Sequence, residues 1–182
     1  MSRLPIPTKE TAPAASQPLL DAVQQSLGSV PNLFRLMSLS PATLEGFLGL
    51  HGALGKTLDL KARQRIAIAV AEVNGCDYCL SAHTYIALNL AKMEAAELEL
   101  NRQGRSNDPH ADEAVRFAAK VAESRGKVEA ADLAALRGAG YTDAQIIDIV
   151  ANVAINVMTN FINNVADTDI DFPVLRTEKR AA

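Results

Sequence analysis

Signals that begin and end α-helices recur along the whole sequence, and they constrain its fold more than any other feature. Helix-capping residues open four segments: Ser40-Pro41, Asp59, Asp108-Pro109 and Thr142-Asp143-Ala144-Gln145. Residues that end helices close others: Gly28, Asn74-Gly75 and Gly126. Between these points apolar residues follow helical spacing, and no segment shows the alternation of a half-buried strand. The sequence therefore predicts an all-α fold.

The composition agrees with packed helices. Aliphatic residues and alanine dominate, aromatic residues make up only 4%, and there is no tryptophan. A β-sandwich would favour β-branched and aromatic side chains instead. The predicted helices cover, in order, residues 19–27, 41–51, 60–73, 76–88, 92–102, 109–126, 130–138 and 142–161. The 92–102 helix is dense in glutamate, so we expect it to present a solvated face.

A chain of 182 residues is long enough to form one domain with its own core. Residues 1–15 are rich in Pro, Ala, Ser and Thr, which predicts an extended N-terminal arm that is free to move. The helical domain is predicted to cover residues 16–175, and residues 176–182 form a C-terminal tail. When Gln64 is aligned with Gln145, Ile66 and Ile68 also meet isoleucines. This echo is consistent with a duplicated helical unit.

Charge and hydropathy exclude several classes of partner. The net charge is only −3 and the basic residues are scattered, so we expect no nucleic-acid or anionic-membrane surface. The longest apolar run, residues 66–71, is far too short to span a bilayer. Residues 1–10 carry two prolines and no apolar stretch typical of a secretory signal. We therefore expect a soluble, cytoplasmic protein.

The only two cysteines of the chain form a C-x-x-C pair, Cys76 and Cys79, and His83 follows four residues later. Such a pair can close a small disulfide ring, and an imidazole nearby can take or return a proton, so the spacing is typical of a dithiol redox centre. The start of a helix favours thiolate at Cys76. Cys79 and His83, at i and i+4, share a helix face, which favours Cys79. These two arguments leave open which thiol attacks.

Three other interpretations of the cysteines compete with redox catalysis. A zinc site would need a fourth ligand or an open water position, and neither His51 nor His110 has a ligand-like spacing to the trio, so we predict no metal. Free cysteines are also common as inert core residues. A regulatory disulfide without turnover is the third interpretation. We expect His51 to be a half-buried structural histidine and His110 to be exposed.

A stripe of asparagines follows the predicted last helix at Asn152, Asn156 and Asn160. These side chains could line the redox pocket or a subunit contact through hydrogen bonds, or they could form the wet face of a long helix. The sequence does not decide between these interpretations. The other faces of this helix are apolar enough for a core or an oligomer interface.

Residues 65–83, which end in Cys76-Asp77-Tyr78-Cys79-Leu80-Ser81-Ala82-His83, resemble the core of the alkylhydroperoxidase D (AhpD) and carboxymuconolactone decarboxylase family. Residues 163–173, Asn163-Asn164-Val165-Ala166-Asp167-Thr168-Asp169-Ile170-Asp171-Phe172-Pro173, resemble the C-terminal signature of its peroxidase-related branch. The resemblance covers residues 17–173. It implies an AhpD-like helical domain with a duplicated helical unit, assembled as a homo-oligomer.

The same resemblance implies a thiol-dependent peroxidase that reduces organic hydroperoxides or hydrogen peroxide through a dithiol–disulfide cycle. Carried over from the family, Cys79 is the peroxidatic thiol, Cys76 the resolving thiol, and His83 part of a proton relay. No bound cofactor is implied beyond the redox-active disulfide. An external dithiol, of dihydrolipoyl type in the family, or a partner protein regenerates the pair.

The sequence departs from the family pattern at two relay positions. Gln64 stands where the family has a glutamate, and Tyr78 stands where it has a histidine. Neither side chain is a useful base at neutral pH, since a glutamine does not titrate and a tyrosine has a pKa of ~10. Glu72, four residues before Cys76, is a candidate replacement, and its alternative role is a solvated or salt-bridged helix residue.

Two further functions stay open on the sequence. One is a decarboxylating lyase like the carboxymuconolactone enzymes of the wider family, although that chemistry would need neither cysteine. The other is a non-enzymatic redox sensor or adaptor, in which disulfide formation changes an interface.

Overall fold

The computed structural model describes residues 1–178, and that part of the chain is helical, without strands, as the sequence predicts. A short 3-10 turn at Ala14–Ser16 precedes the α-helices. They are α1 Gln17–Leu27, α2 Asn32–Met37, α3 Pro41–Leu54, α4 Leu60–Val73, α5 Asp77–Asn89, α6 Ala95–Arg102, α7 Pro109–Ser124, α8 Ala130–Gly138 and α9 Asp143–Ala166.

The predicted capping residues begin their helices. Ser40 accepts a hydrogen bond from the backbone N–H of Thr43, and Asp59 accepts one from Ala62 at 2.7 Å. Thr142 and Gln145 form the expected capping box of α9. Each of these bonds satisfies a backbone donor that the first turn of a helix leaves without a partner, which is worth about 1 kcal/mol.

The largest differences from the predicted helices lie in three places. Helix α2 was not predicted; it has six residues, and its N-cap residue Pro31 offers no side-chain cap. The fifth predicted helix begins at Ala95 rather than at 92, because Lys92 adopts the left-handed conformation with φ 53°. The last helix continues beyond 161 to Ala166, and Asp167 ends it with φ 50°.

The core is arranged around α4, which packs against α5, α6, α7 and α9. Its residues 66–71 are all buried, which explains the continuous apolar run in the sequence. The aligned residues of α4 and α9 are only partly alike in their burial. Ile68 and Ile149 are both fully buried, whereas Ile66 is buried and Ile147 is 67% exposed. A duplicated unit stays a prediction.

The glutamate-rich segment 92–102 is not simply a solvated face, so this prediction was wrong for Glu97. Its side chain is buried and pairs with Arg65 of α4 at 2.7 Å. It also accepts hydrogen bonds from Ser106 and from the backbone of Asn107. Because α6 packs on α4, one glutamate of the segment faces inward and needs these partners.

Helix α9 has the length and the mean hydropathy, 1.4, of a helix that could cross a membrane. Length and composition are weak evidence, because the core helix of a soluble protein meets the same criteria. Here α9 packs against α3, α4, α5, α7 and α8, and four asparagines are among its buried residues. These contacts give α9 the environment of a core helix.

Both ends of the described chain are bound to the helices. The backbone N–H of Arg3 donates to Ala166, and the Arg35 guanidinium donates to the carbonyl of Pro7. Thr177 donates two hydrogen bonds to the Asp77 carboxylate. Of the predicted tail, residues 176–178 are described and residues 179–182 lie outside the described residues. The division into arm, domain and tail stays a prediction.

Candidate redox site

The turn between α4 and α5 positions both cysteines. Asn74 ends α4, and Gly75 follows with φ 62°, a left-handed conformation that favours glycine. Cys76 is then the N-cap residue of α5, where its sulfur accepts a hydrogen bond from the backbone N–H of Cys79 at 3.3 Å. The two thiols are therefore neighbours in the first turn of α5, and both are free and buried.

The surroundings of the two sulfur atoms differ, and the difference favours Cys79 as the thiolate. Burial raises the pKa of Cys79, but hydrogen bonds from Cys76 and Asn163, together with the nearby polar groups of Asn160 and Thr159, lower it below its ordinary value. Burial and the bond to Cys79 raise the pKa of Cys76. The thiolate at Cys79 thus depends on donors rather than on the helix terminus or a histidine.

Several of these donors come from α9, which crosses behind the turn. Asn163 Nδ2 lies 3.2 Å from Cys79 Sγ. Asn160 Oδ1 accepts from Asn74 Nδ2 at 2.8 Å, and Asn164 Nδ2 donates to the Asn74 carbonyl at 2.9 Å. Asparagines of α9 therefore hold both the sulfur and the turn that carries it.

The asparagine stripe is not the wet face of a helix. Asn152, Asn156 and Asn160 are all buried, and the first two line a cavity beside the redox centre. The sequence analysis did not identify Asn163 as a site residue, although it extends the same stripe by three positions. A search for polar residues that continue a helical stripe would have found it.

His83 contacts Gln64 rather than the cysteines. Its Nδ1 atom lies 2.9 Å from Gln64 Oε1, and no hydrogen bond joins it to Cys79 within residues 1–178. Burial lowers the pKa of His83 to about 4, and the charge of His51 acts in the same direction. The ring is therefore neutral at pH 7. With Nδ1–H donated to the amide oxygen, Nε2 carries the lone pair.

Tyr78 and Glu72 have structural partners. The Tyr78 hydroxyl donates to Asp171 at 2.9 Å and accepts from the backbone N–H of Leu33 at 3.0 Å. Burial raises the pKa of Tyr78, so the phenol stays protonated. Glu72 is buried and pairs with Arg102 at 2.9 Å, which favours the salt-bridged interpretation over a proton relay.

A cavity of about 160 Å³ lies beside the centre. Its lining is mostly apolar and includes Phe34, Phe47, Leu54, Ile86, Ile155 and Phe172. Its polar lining includes His83, Gln64 and Thr159, and of these Thr159 is the one that also lies near Cys79. Such a space fits a small, largely apolar molecule with one polar end.

The other histidines take no part in the thiol environment. His51 is exposed rather than half-buried, so that prediction was wrong. Its ring stacks on Phe47 with centroids 5.5 Å apart and lines the cavity. His110 stacks on Tyr141, whose hydroxyl lies 3.1 Å from its Nδ1 atom. Among residues 1–178, no group of three or more His, Cys, Asp or Glu side chains is placed to hold a metal ion.

Residues 41–124 match the model of the carboxymuconolactone decarboxylase family. Two solved structures are similar over most of their length. The AhpD core of an uncharacterized peroxidase-related protein from Ralstonia eutropha JMP134 is 28% identical, covering 93% of this chain and 92% of that chain, with a TM-score of 0.83. An uncharacterized peroxidase-related protein from Silicibacter sp. TM1040 is 26% identical, covering 92% and 91%, with a TM-score of 0.79.

A third structure, the debrominase Bmp8, is 22% identical with a TM-score of 0.75, covering 93% of this chain and 91% of that chain. At this identity the similarity shows the fold alone. The comparison with curated proteins found no match. Residues 41–124 thus resemble the carboxymuconolactone decarboxylase family, and the fold as a whole is similar to that of AhpD-like, peroxidase-related proteins.

Proposed function

We propose that this protein is a thiol-dependent peroxidase, an oxidoreductase that reduces organic hydroperoxides or hydrogen peroxide through a Cys76/Cys79 dithiol–disulfide cycle. The observation that carries the proposal is the environment of Cys79. Its buried sulfur accepts a hydrogen bond from Asn163 at 3.2 Å, and a second thiol stands three residues away. Thr159, which lies near this sulfur, also lines a cavity of about 160 Å³. A thiolate needs such donors to persist away from water.

In the first step, the Cys79 thiolate attacks the terminal oxygen of the hydroperoxide. An S–O bond forms and the O–O bond breaks, so the sulfur is oxidised to a sulfenic acid and the peroxide is reduced by two electrons. The alkoxide leaves and takes up a proton. We assign the transfer of this proton to His83. The ring is neutral at pH 7 and does not store the proton of the Cys79 thiol, which passes to solvent when the thiolate forms. His83 lines the cavity and relays a proton from solvent to the alkoxide.

In the second step, Cys76 attacks the sulfenic sulfur. The S–S bond forms, the S–O bond breaks, and the hydroxide leaves as water with the Cys76 proton. The raised pKa of Cys76 delays its ionisation until Cys79 has been oxidised and no longer carries negative charge. An external dithiol or a protein reductant then returns the disulfide to two thiols.

The cavity supports small organic hydroperoxides as substrates, since most of its lining is apolar and a few polar groups, His83 and Thr159 among them, could bind the peroxide oxygens. We propose no cofactor or metal beyond the disulfide itself. A homo-oligomer, a cytoplasmic location and the absence of nucleic-acid or membrane partners belong to the same proposal and rest on the family resemblance and on charge.

The test is consumption of tert-butyl hydroperoxide with dihydrolipoamide as reductant. We expect repeated turnover by the wild type and none by Cys79→Ser, because the serine hydroxyl is not ionised at neutral pH. Cys76→Ser should react once and stop, with an oxidised Cys79. Full activity of Cys79→Ser would contradict the proposal. Absence of turnover in the wild type, with a Cys76–Cys79 disulfide formed by peroxide, would favour the redox sensor instead.

A further inference from the structure

Asn163 makes a contact that a purely structural role does not explain. Its side chain is 2% exposed, and its Nδ2 atom donates to Cys79 Sγ at 3.2 Å. Among residues 1–178, the Asn163 side chain makes this one hydrogen bond, and its Oδ1 atom has no hydrogen-bond donor beside it. A buried amide is rarely left half satisfied in a folded protein. The vacant acceptor lies on a side chain that already touches the reacting sulfur.

Within the described part of the chain, Asn160 has an unpaired hydrogen-bond donor, which complements the unpaired acceptor of Asn163. Its side chain is fully buried, and its Oδ1 atom is fixed by Asn74 Nδ2 at 2.8 Å. The amide favours the thiolate form of Cys79, yet its Nδ2 atom has no hydrogen-bond partner among the described residues. Two buried groups without partners in residues 1–178 thus lie near the Cys79 sulfur: the acceptor Asn163 Oδ1 and the donor Asn160 Nδ2. A hydroxyl group on that sulfur could use both.

We propose that Asn160 and Asn163 form an amide cradle for Cys79, which stabilises its thiolate and then holds the oxygen atom that the sulfur acquires. The second half of this inference rests on the peroxidase function proposed above. The thiolate accepts the N–H of Asn163. After the transfer of oxygen from a hydroperoxide, the S–OH oxygen accepts from Asn160 Nδ2, and its hydrogen is donated to Asn163 Oδ1.

The atoms of this step balance without a further reactant. The peroxide loses its terminal OH group to sulfur, and the leaving alkoxide is protonated to an alcohol. Both amides keep their own hydrogens throughout, so they act by hydrogen bonding alone. When Cys76 displaces the oxygen as water, the cradle returns to its initial state. The hydroxyl of a sulfenic acid has one hydrogen to donate, which Asn163 Oδ1 can accept, and an oxygen that can accept from Asn160 Nδ2.

The neighbouring Asn164 provides a matched control. It lies on the same helix and donates to the Asn74 carbonyl at 2.9 Å, so it ties α9 to the turn without a hydrogen bond to sulfur. If the asparagines acted only by fixing the turn, loss of Asn164 and loss of Asn163 would have similar effects on Cys79. The cradle predicts that, of these three asparagines, Asn163 and Asn160 affect the ionisation and the oxidised form of Cys79 and Asn164 does not.

The first experiment measures the rate of Cys79 alkylation by iodoacetamide against pH, in a Cys76→Ser background that leaves one thiol. Asn163→Ala removes a hydrogen bond to the charged thiolate, and we expect it to raise the Cys79 pKa by about 1–2 units. That shift corresponds to a ~10–100-fold loss of thiolate near neutral pH. Asn164→Ala should leave the profile unchanged. Asn163→Asp keeps the side-chain shape, loses the N–H donor and should raise the pKa further. An unchanged profile in both Asn163 variants overturns the cradle.

The second experiment follows the sulfenic acid itself. One equivalent of tert-butyl hydroperoxide is added to the Cys76→Ser protein, and dimedone trapping with mass spectrometry gives the lifetime of the oxidised Cys79. We expect Asn160→Ala to shorten that lifetime about 2–10-fold relative to Asn164→Ala, since one hydrogen bond between uncharged groups is lost. Equal lifetimes overturn the oxygen-holding half.

The two proposals fail in different ways. Alkylation requires neither peroxide nor reductant, so a shifted pKa profile without peroxide turnover would uphold the thiolate half of the cradle and refute the peroxidase. Peroxide turnover that depends on Cys79, with an unchanged profile in both Asn163 variants, would uphold the peroxidase and refute the cradle.

Discussion

Replacing Gln64 by glutamate would restore a carboxylate beside His83, and its effect can be worked out from the structure. Gln64 is buried, and its Oε1 atom lies 2.9 Å from His83 Nδ1. A carboxylate of the same shape would place a negative charge in direct contact with the ring. The pKa of His83 is about 4 because burial disfavours the imidazolium. An opposite charge this close raises a histidine pKa by about 1–3 units, which gives an expected value of about 5–7 in Gln64→Glu.

The assay is an NMR titration of the His83 Cε1–H resonance in the wild type and in Gln64→Glu. Gln64→Leu is the matched control, because it removes the hydrogen bond without adding a charge, and His110 provides an internal reference in all three proteins. A His83 pKa that stays at about 4 in Gln64→Glu would refute the reasoning. If His83 also carries the proton in catalysis, the same variant should shift the pH profile of peroxide reduction upward.

Two further predictions concern stability. The folded-state pKa of His83, about 4, lies below the ordinary ~6.5, so between these values the unfolded chain binds the extra proton. The free energy of unfolding should therefore fall by up to about 3 kcal/mol as the pH drops from 6.5 to 4, and urea titrations should show a weaker dependence in His83→Asn. Tyr78→Phe should cost about 1–3 kcal/mol, because the Leu33 N–H and Asp171 lose their partner, while Cys79 alkylation stays near the wild-type rate. A stability equal to the wild type would contradict the structural role of Tyr78.

Helices with local signals could be predicted from the sequence, and α2 could not. Ser40, Asp59 and Thr142 begin their helices because a side-chain oxygen and a backbone N–H three residues on are close in any helical turn. In α2 the N-cap residue Pro31 offers no side-chain cap, and the first-turn N–H groups of Asn32 and Leu33 donate to the distant side chains of Asp171 and Tyr78. Its six residues are also too few for a periodic pattern. Packing against α3 and α1 supports it instead, and a single sequence does not show such packing.

The two thiols of the site could be predicted from the sequence, but the residues that form hydrogen bonds around them could not. The C-x-x-C spacing identifies the cysteines, because the chemistry requires two thiols in one turn. The donor to Cys79 is 84 residues away in sequence at Asn163, and the partner of Tyr78 is 93 residues away at Asp171. Contacts at such separations are set by tertiary packing. Spacing alone also favoured a Cys79–His83 contact, whereas the folded chain turns His83 toward Gln64.

A single-turnover reaction can show whether Cys79 is the sulfur that attacks the peroxide. Reduced Cys76→Ser and Cys79→Ser proteins each receive one equivalent of tert-butyl hydroperoxide in the presence of dimedone, and mass spectrometry locates the adduct. We expect a rapid, stoichiometric adduct on Cys79 in Cys76→Ser and little reaction at Cys76 in Cys79→Ser. An adduct that forms faster on Cys76, or unchanged thiols in both proteins, would contradict this expectation.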